Sequence, residues 1–113
     1  MFLDIKLLKN DQIMLEEKHL PYDIENNIIH FKLENFDHYL NRTHKIFQRE
    51  SDEFCFTIDL EKEKCTYQLK EISGDFDIIV DDSYWNDSEN TIEIHYVIET
   101  EDEKSKIMIN FNN

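Results

Sequence analysis

One glycine (Gly74) and one proline (Pro21) are all that 113 residues contain of the two residue types that most often punctuate a chain. A single glycine excludes a phosphate-cradling loop, which needs several positions without a Cβ so that backbone amides can close on the anion. The same scarcity leaves no Gly/Ser or Pro-rich hinge, and no repeat or low-complexity tract is present, so residues 1–113 read as one domain. Metal motifs are missing too. The five histidines and two cysteines form no HxH, HExxH or CxxC spacing, and no serine sits in a GxSxG elbow or beside a histidine. Neither a metal nor any other cofactor is called for, and nothing in the pattern points to an enzyme.

Positive charge is scarce as well. Twelve Lys and Arg face 26 Asp and Glu, a formal charge of −14, and only Arg42 and Arg49 are arginines. Direct nucleic-acid binding is disfavoured because phosphates need cationic side chains to neutralise them. From Glu71 to Glu103 the chain carries twelve acids and no Lys or Arg. No apolar run approaches the roughly 20 residues of a membrane-spanning helix, and the N-terminal MFLDIKLL lacks a small-residue cleavage site. A first strand and a cytoplasmic, membrane-free protein are the expectation.

What is present is alternation. Phe54, Phe56, Ile58 and Leu60 alternate with polar or small residues, and the two-residue period returns at Cys65, Tyr67 and Leu69, at Phe76, Ile78 and Val80, at Ile92, Ile94, Tyr96 and Ile98, and at Ile107, Ile109 and Phe111. Candidate strands are Phe2 to Leu8, Gln12 to Lys18, Asn27 to Leu33, His44 to Glu50, Glu53 to Leu60, Cys65 to Ile72, Asp75 to Val80, Thr91 to Glu99 and Lys106 to Phe111. Pro21 falls between two of them. Phe36, Tyr39 and Leu40 lie at i, i+3, i+4, so residues 34–43 read as a short helical turn or a loop, and 81–90 as an irregular segment. Short connections favour up-and-down order, and closing the sheet hides its edges. The expected fold is all-β, an antiparallel up-and-down meander of about eight strands closing into a small lipocalin-like β-barrel, with a sandwich as the alternative.

Register separates the two thiols. With residues 61–64 as the hairpin loop, Leu60 faces Cys65 and Cys55 faces Lys70, about 17 Å away along the strand, too far for a disulfide. Alternation puts Cys65 on the apolar face and Cys55 on the other. Two reduced thiols suit an intracellular compartment.

The patterns IFQRESDEFCFTIDL, CTYQLKE, FDIIV and IEIHYVIE followed by KIMINF resemble a small family of uncharacterised lipocalin-like, calycin-type bacterial barrels. The resemblance covers about the last two-thirds of the chain. It implies a closed or nearly closed barrel and no particular activity.

Candidate site residues follow from the inward face. If Phe47 points inward, Arg49 shares that face and its guanidinium can hold an anionic head group; if Ile46 points inward, Arg49 is exposed. Tyr67 and Tyr96 are the other inward candidates for contact with a small apolar or anionic ligand. His30 and His95 fall on polar faces, and His38 and His44 read as solvated residues flanking a turn. A second reading uses the acid-only segment: Asp81, Asp82, Asp87 and Glu89, with Tyr84 and Trp85 as apolar anchors, dock on a basic protein partner as an inhibitor or nucleic-acid mimic does. The plainer account of that run is a solvated outer face. The four acids lack the DxDxDG rhythm of a calcium loop. Nothing in the sequence fixes an oligomeric state.

Overall fold

The computed structural model describes residues 1–69, 75–98 and 103–112, with the side chains of 75–82 and 98 outside the described part. The described residues form ten strands and no helix: β1 (Phe2–Lys9), β2 (Gln12–Glu25), β3 (Ile28–Leu33), β4 (Phe36–Asn41), β5 (Ile46–Glu50), β6 (Phe54–Asp59), β7 (Lys64–Leu69), β8 (Asp75–Asp87), β9 (Thr91–Ile98) and β10 (Glu103–Phe111). All pairings are antiparallel and follow chain order, and β1 pairs with β2 on one side and β10 on the other, which brings the last strand back onto the first. The up-and-down order is as expected; the number of strands is ten rather than about eight, and the sheet curls into a half-barrel instead of closing fully.

β4 accounts for part of the difference. Its inward residues are His38 and Leu40, 2% and 0% exposed, with half-buried Phe36 two positions earlier. A histidine in the middle of the inward row hid the two-residue period and let the i, i+3, i+4 spacing suggest a helix. Residues 81–87, expected to be irregular, are the second half of β8. Pro21 lies inside β2 rather than between strands, opposite Phe2, and the next amide, that of Tyr22, donates to the Met1 carbonyl.

The curl is not a regular cylinder, because the two long strands change partners part-way. β2 pairs β1 through Gln12–Pro21 and β3 only from Tyr22 to Glu25, while β8 passes from β7 to β9 between Ile79 and Val80. Strands that switch sheets in this way make corners. Along residues 12–20, β2 therefore has a strand on one side only, and the curled sheet gapes there. Two register shifts against β1, at Leu7/Leu8 and Leu3/Ile5, kink this free edge; at the second, His19 has φ of 59° and its amide donates to Asp4 Oδ1 at 2.9 Å. Bulges of this kind keep an open edge from recruiting another strand.

Three hairpins among the described residues are made without glycine. Asn10 and Asp11, Asn26 and Asn27, and Glu34 and Asn35 all have φ between 50° and 68°. Positive φ at both central residues is the requirement of a two-residue type I′ hairpin, and Asn and Asp tolerate it better than other residues with a Cβ.

The interior has two unequal ends. Leu3, Ile5, Ile29, Phe31, Leu40, Ile58, Ile92, Ile94 and Ile109 are at most 2% exposed and fill one end. At that end Arg42, after β4, reaches the β8–β9 hairpin: its Nε donates to Asp87 Oδ2 at 2.8 Å, its Nη2 donates to Asp87 Oδ1 and to the Ser88 carbonyl, and its guanidinium lies 5.4 Å from the Phe111 ring centre.

The β6–β7 register is two residues off the expected one. Ile58 faces Cys65 and Cys55 faces Gln68, because the connection is residues 60–63. Cys65 is fully buried, Cys55 half-buried on the outer face, and neither is in a disulfide. Their separation along the strands shrinks to about 10 Å, still beyond disulfide range.

Candidate functional site

At the other end the described side chains do not fill the space, and a cavity of about 420 Å³ opens to solvent. This lies in the lower part of the roughly 300–1,000 Å³ range of small-molecule sites. Its wall includes inward residues of strands from both halves of the molecule, Leu7, Leu15, Phe47, Phe56, Tyr67, Tyr96 and Ile107, with His38 and Arg49 among them and Lys9, Glu34, Ser105 and Lys106 also in the lining.

The register settles which way Arg49 points. Phe47 is buried at 4% exposure, so Arg49, two residues on, shares its inward face and stands opposite His38 on β4 and Phe56 on β6. Three phenylalanines cradle the guanidinium, whose carbon lies 5.0 Å from the Phe36 ring centre, 5.9 Å from Phe54 and 6.0 Å from Phe56. Cation–π attraction of this kind holds the cation in place while leaving its N–H groups free. Nε is buried and has no hydrogen-bond partner, and Arg49 makes no ion pair among the described residues. Tyr67 and Tyr96 line the same cavity, so the three residues singled out for a small ligand come together around one space.

His38 is a correction to the sequence reading. Expected to be solvated, it is 2% exposed and stacked on Phe31 at 4.9 Å with an interplanar angle of 2°, with Phe47 at 5.8 Å on another side. Its Nδ1 has no partner among the described groups. Burial, assisted by the Arg49 guanidinium, pushes the imidazole pKa down to about 4, while a hydrogen bond with the Phe36 backbone and the charge of Asp37 act in the opposite direction. His38 is therefore neutral at pH 7. A sequence signal for it existed: Phe36, His38 and Leu40 do alternate if the histidine is allowed to face inward.

The other histidines stay on the outer surface. His30 sits between Asp37 Oδ1 at 2.9 Å and Asp23 Oδ1 at 3.4 Å, which holds the Asp37 carboxyl below its ordinary value. His95 contacts Glu93 at 2.8 Å, and His44 is exposed. No group of three or more metal-ligating side chains occurs among the described residues.

Residues assigned to a basic partner are distributed differently. Tyr84 is 49% exposed and packs edge-on against His95 at 5.1 Å, whereas Trp85 turns inward against the core with its buried Nε1 unpartnered. Asp87 is held by Arg42, Glu93 by His95 and Lys106 (3.8 Å), and Glu103 by Lys9 (3.5 Å), so folding supplies cations that the local sequence lacks. Glu89 is exposed. The side chains of Asp81 and Asp82, like those of Glu71, Asp75, Asp77, Glu99, Glu101 and Asp102, lie outside the described residues.

No helix among the described residues is long and apolar enough to cross a membrane. Comparison with family models, curated proteins and solved structures found no match to this chain.

Proposed function

We propose that this chain is a non-catalytic binding module of lipocalin-like kind that takes a small apolar or anionic ligand into the open end of its curled sheet. Arg49 carries the reading. A guanidinium wedged among three aromatic rings, with a buried Nε and no carboxylate against it among the described residues, carries a charge that no described anion neutralises. Buried polar groups left unpaired are costly, so such a group is better explained by a ligand's oxyanion than by packing. The surrounding Phe56, Tyr67, Tyr96 and Ile107 suit an apolar body attached to that head.

A matched pair of fluorescent probes tests this. Anilinonaphthalene sulfonate and phenylnaphthylamine share one skeleton and differ in the sulfonate. Both are expected to bind one per chain, and Arg49→Gln to weaken the sulfonate about 10- to 100-fold, the range for hydrogen bonds to a charged group, while leaving the uncharged probe within about twofold. Absence of stoichiometric binding, or equal affinity in wild type and Arg49→Gln, would refute the proposal. The competing reading, an acidic inhibitor or nucleic-acid mimic, draws support from exposed Tyr84 and Glu89 and loses it where Trp85 turns inward and three acids pair internally.

A further inference from the structure

Arg49 does not stand alone at the cavity. His38 is its register partner on the neighbouring strand, points into the same interior, and is the one buried polar or charged side chain among the described residues. Two nitrogens with no partner, Arg49 Nε and His38 Nδ1, thus belong to adjacent inward positions of adjacent strands. A histidine kept only for packing could be replaced by an apolar residue at less cost, since burying an imidazole with an unsatisfied nitrogen is unfavourable. Aromatic stacking on Phe31 fixes the ring plane, so the nitrogen is preorganised without being used.

We propose that His38 is the second head-group contact of this site: an oxyanion on an apolar body is held between Arg49 and His38 Nδ1, and its binding is coupled to uptake of a proton by His38. The inference rests on the ligand-binding reading of the cavity. The coupling has a simple origin. In the free protein the loss of solvent, assisted by the opposing guanidinium, keeps the imidazole neutral; an anion placed between the two side chains offsets the repulsion and gives the imidazolium a counter-charge. Affinity for the anion and affinity for the proton must then rise together.

Among the described residues, the charged groups around His38 do not supply that counter-charge in advance. On β5, Arg49 faces it, with Gln48 and Glu50 at the alternate positions; on β3, Phe31 faces it, with His30 and Lys32 at the alternate positions. Asp37, next to it on β4, is turned to His30. Across the cavity stand Tyr67, Tyr96, Lys9 and Lys106, with Glu34 in the β3–β4 turn; both lysines contact glutamates, Glu103 and Glu93.

The test uses the same two probes on the full chain. His38→Phe, which keeps the aromatic stack, is expected to weaken the sulfonate about tenfold and to leave phenylnaphthylamine within about twofold. Between pH 7.5 and 5 the wild-type affinity for the sulfonate, which stays ionised throughout, is expected to rise about fivefold more than that of His38→Phe. Both proteins lose the same surface carboxylate charge over that interval, so the difference reports on residue 38. Should His38→Phe not fold, the His38 ring resonance followed by NMR in wild type is expected to titrate at higher pH with the sulfonate bound than without it. Equal sulfonate affinity and pH profile in the two proteins, or an unmoved His38 titration, overturns the proposal while leaving cavity binding intact. Equal weakening of both probes overturns it in favour of a purely shaping role, and binding of neither probe overturns the cavity reading itself.

Discussion

Removing Arg42 tests whether the filled end of the sheet is clasped by one side chain. Arg42 follows β4 and reaches 45 residues along the chain to Asp87 through two parallel N–H···O bonds, with a third to the Ser88 carbonyl and its face over Phe111. Fully exposed ion pairs contribute about 0.2–1 kcal/mol, and hydrogen bonds to charged groups when protected about 1.5–3 kcal/mol. Here the side chains are 34% and 27% exposed, so solvent screens the pair in part and a coupling of about 1–1.5 kcal/mol is expected. The stack on Phe111 adds about 0.5–1 kcal/mol. Arg42→Ala should therefore cost about 2 kcal/mol, which lowers Tm by roughly 8 °C at about 4 °C per kcal/mol for a chain of this length. Urea denaturation of Arg42→Ala, Asp87→Ala and the double variant gives the coupling directly. A coupling below about 0.5 kcal/mol, within the usual limits of additivity, would show that the bidentate geometry adds nothing and that the ends are held by β-pairing alone.

Acid should destabilise the fold through His38. Its folded pKa, about 4, lies below the unfolded value of 6.5, so the unfolded chain binds more protons between those values and stability falls as pH drops from about 6.5 towards 4. The loss is on the order of 2–3 kcal/mol by pH 4.5, and denaturation of His38→Phe across the same interval should lack it; an unchanged slope would mean that His38 is hydrated in solution. Glu63, in the β6–β7 turn, has φ of 52°, a conformation costing a residue with a Cβ about 1 kcal/mol or more. Glu63→Gly should consequently raise stability by about 0.5–1 kcal/mol in urea denaturation, and a loss would show that the Glu63 side chain contributes contacts of its own.

Legibility in the sequence tracked chemical contrast. Where inward residues were all apolar, as in β6, β9 and β10, alternation gave the strand and its buried face. β4 was lost because His38 occupies an inward position, and the second half of β8 because the positions two residues either side of Trp85, Ser83 and Asp87, are polar. Turn chemistry misled the β6–β7 register by two residues, since a four-residue connection can be placed at 60–63 or 61–64 without breaking the inward period. Of the site, Tyr67 and Tyr96 were readable as inward residues and Arg49 in only one of two open registers; His38 was not, because a lone histidine in a chain with five resembles a solvated one.

The sequence by itself determined that this is an antiparallel up-and-down β-protein with Cys55 and Cys65 on opposite faces, because a two-residue period and short connections are local properties. Local patterns carry no information on what stands across the interior. Only the tertiary structure brought Arg42 to Asp87, Lys106 to Glu93 and Lys9 to Glu103, giving an acid-only stretch of chain its cations. Only it placed Arg49 beside His38 and left the space around them unfilled, since a cavity is a sum over side chains from many strands and no single strand encodes it.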